Sequence, residues 1–118
     1  MAMVSPPGTP QSRIELAPAA ALFHSLADPT RLAIVRRLSC GETRVVDLMA
    51  ELELPQSTVS KHLACLRDCK LVTYRSAGRQ SFYRLAEPAL ADLLAAGERL
   101  LEATGSAVAL CPVYGVKA

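Results

Sequence analysis

Leu54-Pro55-Gln56-Ser57-Thr58-Val59-Ser60-Lys61-His62-Leu63-Ala64-Cys65-Leu66-Arg67-Asp68-Cys69-Lys70-Leu71-Val72 is the stretch that decides how this chain reads. Val59, Leu63 and Leu66 recur at spacings of four and three, which brings them to one side of a helix. Pro55 fits a first helical turn, where its missing N–H costs nothing. A helix this short does not stand alone in water, so its apolar stripe must dock on neighbours. That leaves Gln56, Ser57, Thr58, Ser60, Lys61 and His62 to face outward. Small hydroxyl, amide, cationic and imidazole groups on a presented helix suit the phosphates and base edges of a major groove.

The same stretch carries Cys65 and Cys69, one helical turn apart. Cβ atoms at that offset lie about 5–6 Å apart. Two sulfurs held at roughly 2.3 Å by one metal sit about 4 Å from each other, a gap that rotamer choice closes. One helix thus offers a nucleic-acid face and half of a soft-metal site. Metal and DNA would then compete for its position. The competing reading of the two cysteines is burial as small apolar side chains.

Working outward, the segment 56–84 holds six basic residues (Lys61, Arg67, Lys70, Arg75, Arg79 and Arg84) against the single acid Asp68. It therefore carries +5 on a chain of net charge +2, and the remainder is −3. A basic patch on an acidic domain is the footprint expected of a nucleic-acid binder, though a merely solvated basic face has the same composition. The 118 residues suffice for one domain. A hydrophobic fraction of 51% with only 4% aromatics points to a helical core of Ala, Leu and Val. No apolar run approaches the length of a membrane span, and the N-terminus lacks a basic region followed by an apolar core. The expected location is cytoplasmic, where the four cysteines stay reduced.

Residues 1–17, with Pro6, Pro7, Gly8 and Pro10, read as a disordered arm. A first helix is expected over about residues 18–26, with Leu22, Phe23 and Leu26 as apolar contacts and His24 as a structural residue. Asp28-Pro29 starts a second helix by capping and by a first-position proline. Its buried stripe is Leu32, Val35 and Leu38, and Gly41 ends it. Thr43 is expected to cap a short helix of Val45, Val46, Leu48, Met49 and Leu52. Glu53-Leu54-Pro55 is then the turn of a helix-turn-helix. After Leu71 the period becomes two, and Val72–Arg75 and Gln80–Leu85 form a hairpin with Arg75 and Arg79 about its tip. The fold class is mainly α with a small β-hairpin: a winged helix-turn-helix spanning residues 18–104. Glu87-Pro88 opens a last helix whose Leu90, Leu93, Leu94, Gly97, Leu100 and Leu101 form a stripe suited to a homodimer. Gly97 would admit a close helix approach. Two reading helices in such a dimer would lie about one DNA turn, roughly 34 Å, apart on a palindromic site. Residues 105–118 form a tail with weak helical signals, carrying Cys111; Cys40 reads as buried.

Leu26-Ala27-Asp28-Pro29-Thr30-Arg31, the Gln56–Leu63 run, Leu66-Arg67, Leu71-Val72 and Gly78-Arg79 together resemble the ArsR/SmtB family over residues 19–101. The resemblance implies a dimeric winged-helix repressor, not an enzyme, that leaves operator DNA on binding a metal or metalloid. It places three kinds of site for comparison. Where one class has Cys-x-Cys before the reading helix, this chain has Val45-Val46-Asp47. Where another has Asp and His ligands on the last helix, this chain has Asp92, Glu98 and Glu102 without His. The CmtR-like cadmium/lead sensors combine Cys-x3-Cys at the end of the reading helix with a tail cysteine, and Cys65, Cys69 and Cys111 match that pattern. In such sensors the tail thiolate comes from the other subunit. Three thiolates are soft ligands. They suit Cd(II) or Pb(II) foremost and As(III) next, with Zn(II) and Cu(I) also admitted. The alternatives are a thiol redox sensor or an organic-effector repressor on the same fold. Nothing in the sequence supplies a small-molecule substrate site: there is no Gly-rich phosphate loop and no Cys-x-x-Cys beside a βαβ unit.

Overall fold

The computed structural model describes residues 10–110. Six helices and three short strands follow in the order α1 (Pro10–Glu15), α2 (Ala17–Ala27), α3 (Pro29–Leu38), β1 (Thr43–Arg44), α4 (Val45–Leu52), α5 (Gln56–Asp68), β2 (Val72–Ala77), β3 (Gln80–Leu85) and α6 (Pro88–Ala103). Asp28 caps α3 as its sequence predicts, accepting from the backbone N–H of Thr30 at 2.8 Å and of Arg31 at 3.0 Å. Pro29 takes the first helical position, and Pro88 does the same for α6.

A residue in the left-handed region follows each of α4 and α5: Glu53 at φ 55° caps α4, and Lys70 at φ 62° comes one residue after the α5 cap, Cys69. In both cases the next N–H reaches back over the last turn, Leu54 to the Met49 carbonyl at 3.1 Å and Leu71 to the Leu66 carbonyl at 2.9 Å. This double-bonded helix stop normally uses glycine. Its presence here explains how the α4–α5 turn forms without one.

The sheet is antiparallel in the order β1-β3-β2. The hairpin register pairs Val72 with Leu85, Tyr74 with Tyr83 and Ala77 with Gln80, leaving Gly78-Arg79 as the connecting pair. Gly78 lies at φ +64°, the conformation asked of the first central residue in a tight hairpin turn. The core lies where α3, α5, the sheet and α6 meet: Ile34, Val35 and Leu38, Leu48, then Val59, Leu63 and Leu66, with Val72, Tyr83, Leu90, Leu94 and Leu110.

Several expectations are corrected. Thr43 does not cap α4. It is buried in β1 opposite Tyr83, and Arg44 stands at the cap position. A two-residue edge strand is too short for a periodicity signal. Pro55 precedes α5 as its cap residue rather than standing within the first turn. The segment read as a disordered arm contains α1, and α2 begins at Ala17. Phe23 points largely to solvent, and Ile34 replaces Leu32 in the buried stripe of α3. Cys40 is exposed, because it follows the last turn of α3 rather than the stripe. Residues 106–110 form no helix. Among the described residues, no helix is long and apolar enough to cross a membrane.

Candidate nucleic-acid interface and thiol pair

α5 is held by its inner face. Val59, Leu63 and Leu66 are completely buried, while Gln56, Ser57, Ser60 and Lys61 stand exposed, as the spacing predicts. Thr58 is half-buried. His62 departs from the expected outward set: it is partly buried, and its Nδ1 is shielded with no hydrogen-bond partner among the described residues. The reason is positional. His62 is three residues after Val59 and four before Leu66, so it borders the buried stripe rather than opposing it. It lies within electrostatic reach of Asp28. The Asp28 carboxyl is held below the usual carboxylate value by the Arg31 N–H, then by the Thr30 N–H, with the charges of His62 and Arg31 acting the same way.

The wing divides its two arginines. Arg79 lies exposed in the hairpin turn. Arg75 lies within β2, away from the tip. Its guanidinium meets Glu42 at 2.8 and 2.9 Å and stacks 4.6 Å from the Phe82 ring centroid. The Arg75 ion pair holds the Glu42 carboxyl below its ordinary value. Arg75 is therefore a partly neutralised contact, and Arg79 the freer one. Arg44 was not singled out by the sequence. It forks onto Asp47 at 2.9 and 3.0 Å and reaches the Gln80 side chain at 3.2 Å, tying α4 to the wing. The Arg44/Asp47 spacing of three was its only signal. A groove of about 370 Å³ opens there, lined by Arg44, Val46, Met49, Gln56, Arg79 and Gln80 among others. It puts the start of α5 and the tip of the wing on one surface.

The thiols sit at the other end of α5. Cys65 is half-buried, and Cys69 is exposed at the helix terminus, its N–H donating to the Cys65 carbonyl at 3.1 Å. The Cys69 Sγ lies 3.0 Å from the Ser25 Oγ of α2. Arg67, between the cysteines, stacks 5.3 Å from the Tyr74 ring centroid, and Tyr74 stacks on Tyr83 at 5.1 Å. The turn bearing the cysteines thereby touches both α2 and the wing. Two solvent-reached thiols one turn apart fit half of a soft-metal site. Among the described residues no group of three His, Cys, Asp or Glu converges, so completion requires a ligand from elsewhere.

Cys111 lies outside the described residues. The chain leading to it is anchored in its own subunit: Leu110 is buried, and a Cβ added to Gly97 would stand 3.6 Å from its Cδ1. The Leu110 N–H donates to the Glu98 carboxylate, and Arg36 Nη1 donates to the Ala109 carbonyl at 3.1 Å. Gly97 thus receives the chain's own tail, where a partner helix was expected. Leu90 and Leu94 are also corrected, since both lie in the subunit core. Leu93 and Leu101 pack partly against it, and Leu100 is 65% exposed. Ile14, Leu16 and Phe23 are the exposed large apolar residues of the N-terminal helical region.

Comparison with known proteins places this architecture. The profile of the bacterial regulatory protein, arsR family, matches residues 28–74. A probable mercury resistance operon repressor of Streptomyces lividans is 34% identical over 92 residues, covering 78% of this chain and 74% of the relative. The chain belongs to the ArsR family. Another family relative, the transcriptional regulator CmtR of Mycobacterium tuberculosis, is 47% identical over 75 residues, 64% of each chain. Among solved structures, a homodimeric winged helix-turn-helix DNA-binding domain from Mycobacterium bovis superposes with a TM-score of 0.71 at 27% identity, covering 86% of this chain and 91% of that one. The ArsR-family relatives and fold neighbours are transcriptional regulators, not enzymes.

Proposed function

We propose that this ArsR-family protein is a homodimeric repressor that binds palindromic operator DNA and releases it when a soft metal binds Cys65, Cys69 and Cys111. The carrying observation is that one helix, α5, presents exposed Gln56, Ser57, Ser60 and Lys61 at its start and the two thiols at its end. Thr58 sits at the edge of the reading face, and Arg79 adds backbone or minor-groove contact from the wing. His62 steadies the helix from its flank rather than reading bases, and Arg75 contributes beside its Glu42 partner. The exposed Leu100, Ile14, Leu16 and Phe23 supply apolar surface for a second subunit, with Leu93 and Leu101 at its margin. The relative named as a probable mercury resistance operon repressor supports a metal as the signal.

Cd(II) or Pb(II) is the favoured ligand and As(III) the next, because thiolates are soft donors. The bound ion would hold the three sulfurs together, and coordination requires their deprotonation. Cys65 and Cys69 ride on the reading helix, so tethering them to the tail biases its position. A metal that discriminates between the two helix positions by 1–3 kcal/mol, a typical coupling energy, changes operator affinity roughly 5–150-fold.

The test is an anaerobic Cd(II) titration followed by the thiolate-to-metal charge-transfer band and, in parallel, by operator-binding anisotropy. Wild type should saturate at about one metal per subunit and release DNA, whereas Cys65→Ser and Cys69→Ser should bind operator normally and fail to release it. Release by cadmium in the double variant would sink the assignment. Release by peroxide but not by metal would make the pair a redox switch instead.

A further inference from the structure

Among the described residues, a side-chain hydrogen bond reaches Cys69 from outside α5. Ser25, near the end of α2, is only 4% exposed, yet its Oγ lies 3.0 Å from the Sγ of the exposed Cys69, 44 residues away in sequence. Ser25 is itself fixed from behind, because Arg31 Nε donates to the Ser25 carbonyl at 2.8 Å. Arg31 in turn sits in the first turn of α3, whose start Asp28 caps. The hydroxyl is therefore mounted on a rigid corner between α2 and α3 and aimed at the last turn of α5.

We propose that Ser25 is the positioning residue of Cys69, orienting its sulfur for metal coordination and linking the metal site to α2. The proposal rests on the metal-sensor reading above. As a neutral thiol, Cys69 can donate to or accept from the hydroxyl. On coordination the thiol proton leaves for solvent, and the sulfur can only accept. The Ser25 hydroxyl keeps its proton and donates it to the sulfur, a bond to a charged acceptor that is stronger than its neutral counterpart. The contact counts for more at this place because the C-terminal end of a helix opposes negative charge, and Cys69 is the residue that closes α5. Cys65, in the body of the helix, has no such external donor among the described residues.

A second consequence concerns geometry. An exposed cysteine samples several χ1 wells, and only some direct its sulfur to the side shared with Cys65. A fixed hydroxyl selects one before metal arrives, lowering the ordering cost of binding. The contact also joins the turn that carries the thiols to α2, whose Phe23 is exposed. Metal binding is thereby connected to α2 as well as to the reading helix.

The test compares Ser25→Ala, Ser25→Thr and Cys69→Ser in the full chain, reduced and anaerobic. In the metal-free protein, NMR couplings of the Cys69 β-protons should report a single rotamer in wild type and Ser25→Thr, and averaging in Ser25→Ala. Cadmium affinity, by chelator competition, should fall about tenfold in Ser25→Ala, with a displaced charge-transfer band, and return in Ser25→Thr. Unfolding midpoint and metal-free operator affinity should stay near wild type, separating positioning from loss of fold. A single rotamer and unchanged cadmium affinity in Ser25→Ala, beside lost affinity in Cys69→Ser, would overturn the role of Ser25 alone. Unchanged cadmium affinity in Cys69→Ser would overturn the metal site itself.

Discussion

Asp28 shows how one carboxylate organises a corner. It caps α3 through two backbone N–H bonds and faces His62 on α5 electrostatically. Its folded carboxyl titrates below the ordinary value of 3.8, so its contribution is present above that value and is lost as pH falls through the folded one. Asp28→Asn keeps a capping oxygen without the charge. The variant should melt below wild type at about pH 7, and the gap should close as both approach about pH 2. Thermal circular dichroism at the two pH values reads this directly. Glu42 and Asp47, also held low by their arginine partners, titrate in both proteins and cancel from the difference. At the wing, Arg79→Ala should weaken operator binding evenly across sequences and reduce the slope of log affinity against log salt by about 1. Arg75→Ala should change that slope less, because Glu42 already offsets its charge.

The reading helix depends on its neighbours and on how it is terminated. Leu63 is completely buried in the middle of α5. Leu63→Ala removes its packing and leaves a cavity, at a cost of roughly 2–5 kcal/mol. The expected fall in unfolding midpoint is on the order of 10–20 °C, measurable by calorimetry. Glu53 illustrates the opposite sign. It closes α4 at φ 55° and ψ 48°, a conformation that disfavours a side chain bearing Cβ. Glu53→Gly should stabilise the protein by roughly 0.5–1 kcal/mol, the relief of that strain less the extra chain entropy of glycine. A lowered urea midpoint in this variant would show that the Glu53 side chain contributes something its backbone angles conceal.

At the scale of the molecule, Ile14, Leu16 and Phe23 of the N-terminal helical region and Leu100 of α6 are large apolar residues left exposed, alongside Val46, Tyr74 and Val108 elsewhere. Phe23 is 57% exposed and Leu100 is 65% exposed. If both lie in a subunit interface, Phe23→Asp or Leu100→Asp should convert the dimer to monomer in sedimentation velocity and weaken binding to the full palindrome far more than to a half-site. Leu94→Asp should instead unfold the subunit, since Leu94 belongs to its own core. That contrast separates interface from interior within one helix whose leucines look alike in sequence.

The amino-acid sequence by itself determined the helix-turn-helix, the wing and the thiol pair. Each rests on local chemistry: Asp28-Pro29 as a helix start, the Val59/Leu63/Leu66 spacing, the alternation on either side of Gly78, and Cys65 one turn before Cys69. Tertiary structure decided what depends on which neighbour arrives. It placed Leu90 and Leu94 in the core and left Leu100 outside, seated Leu110 against Gly97, turned His62 Nδ1 inward, and paired Arg75 with Glu42. It also brought Ser25 to Cys69. Periodicity reports which side of an element is apolar. It holds no record of partners 30 or more residues away, such as Glu42 for Arg75 and Ser25 for Cys69, because those are chosen by packing rather than by spacing.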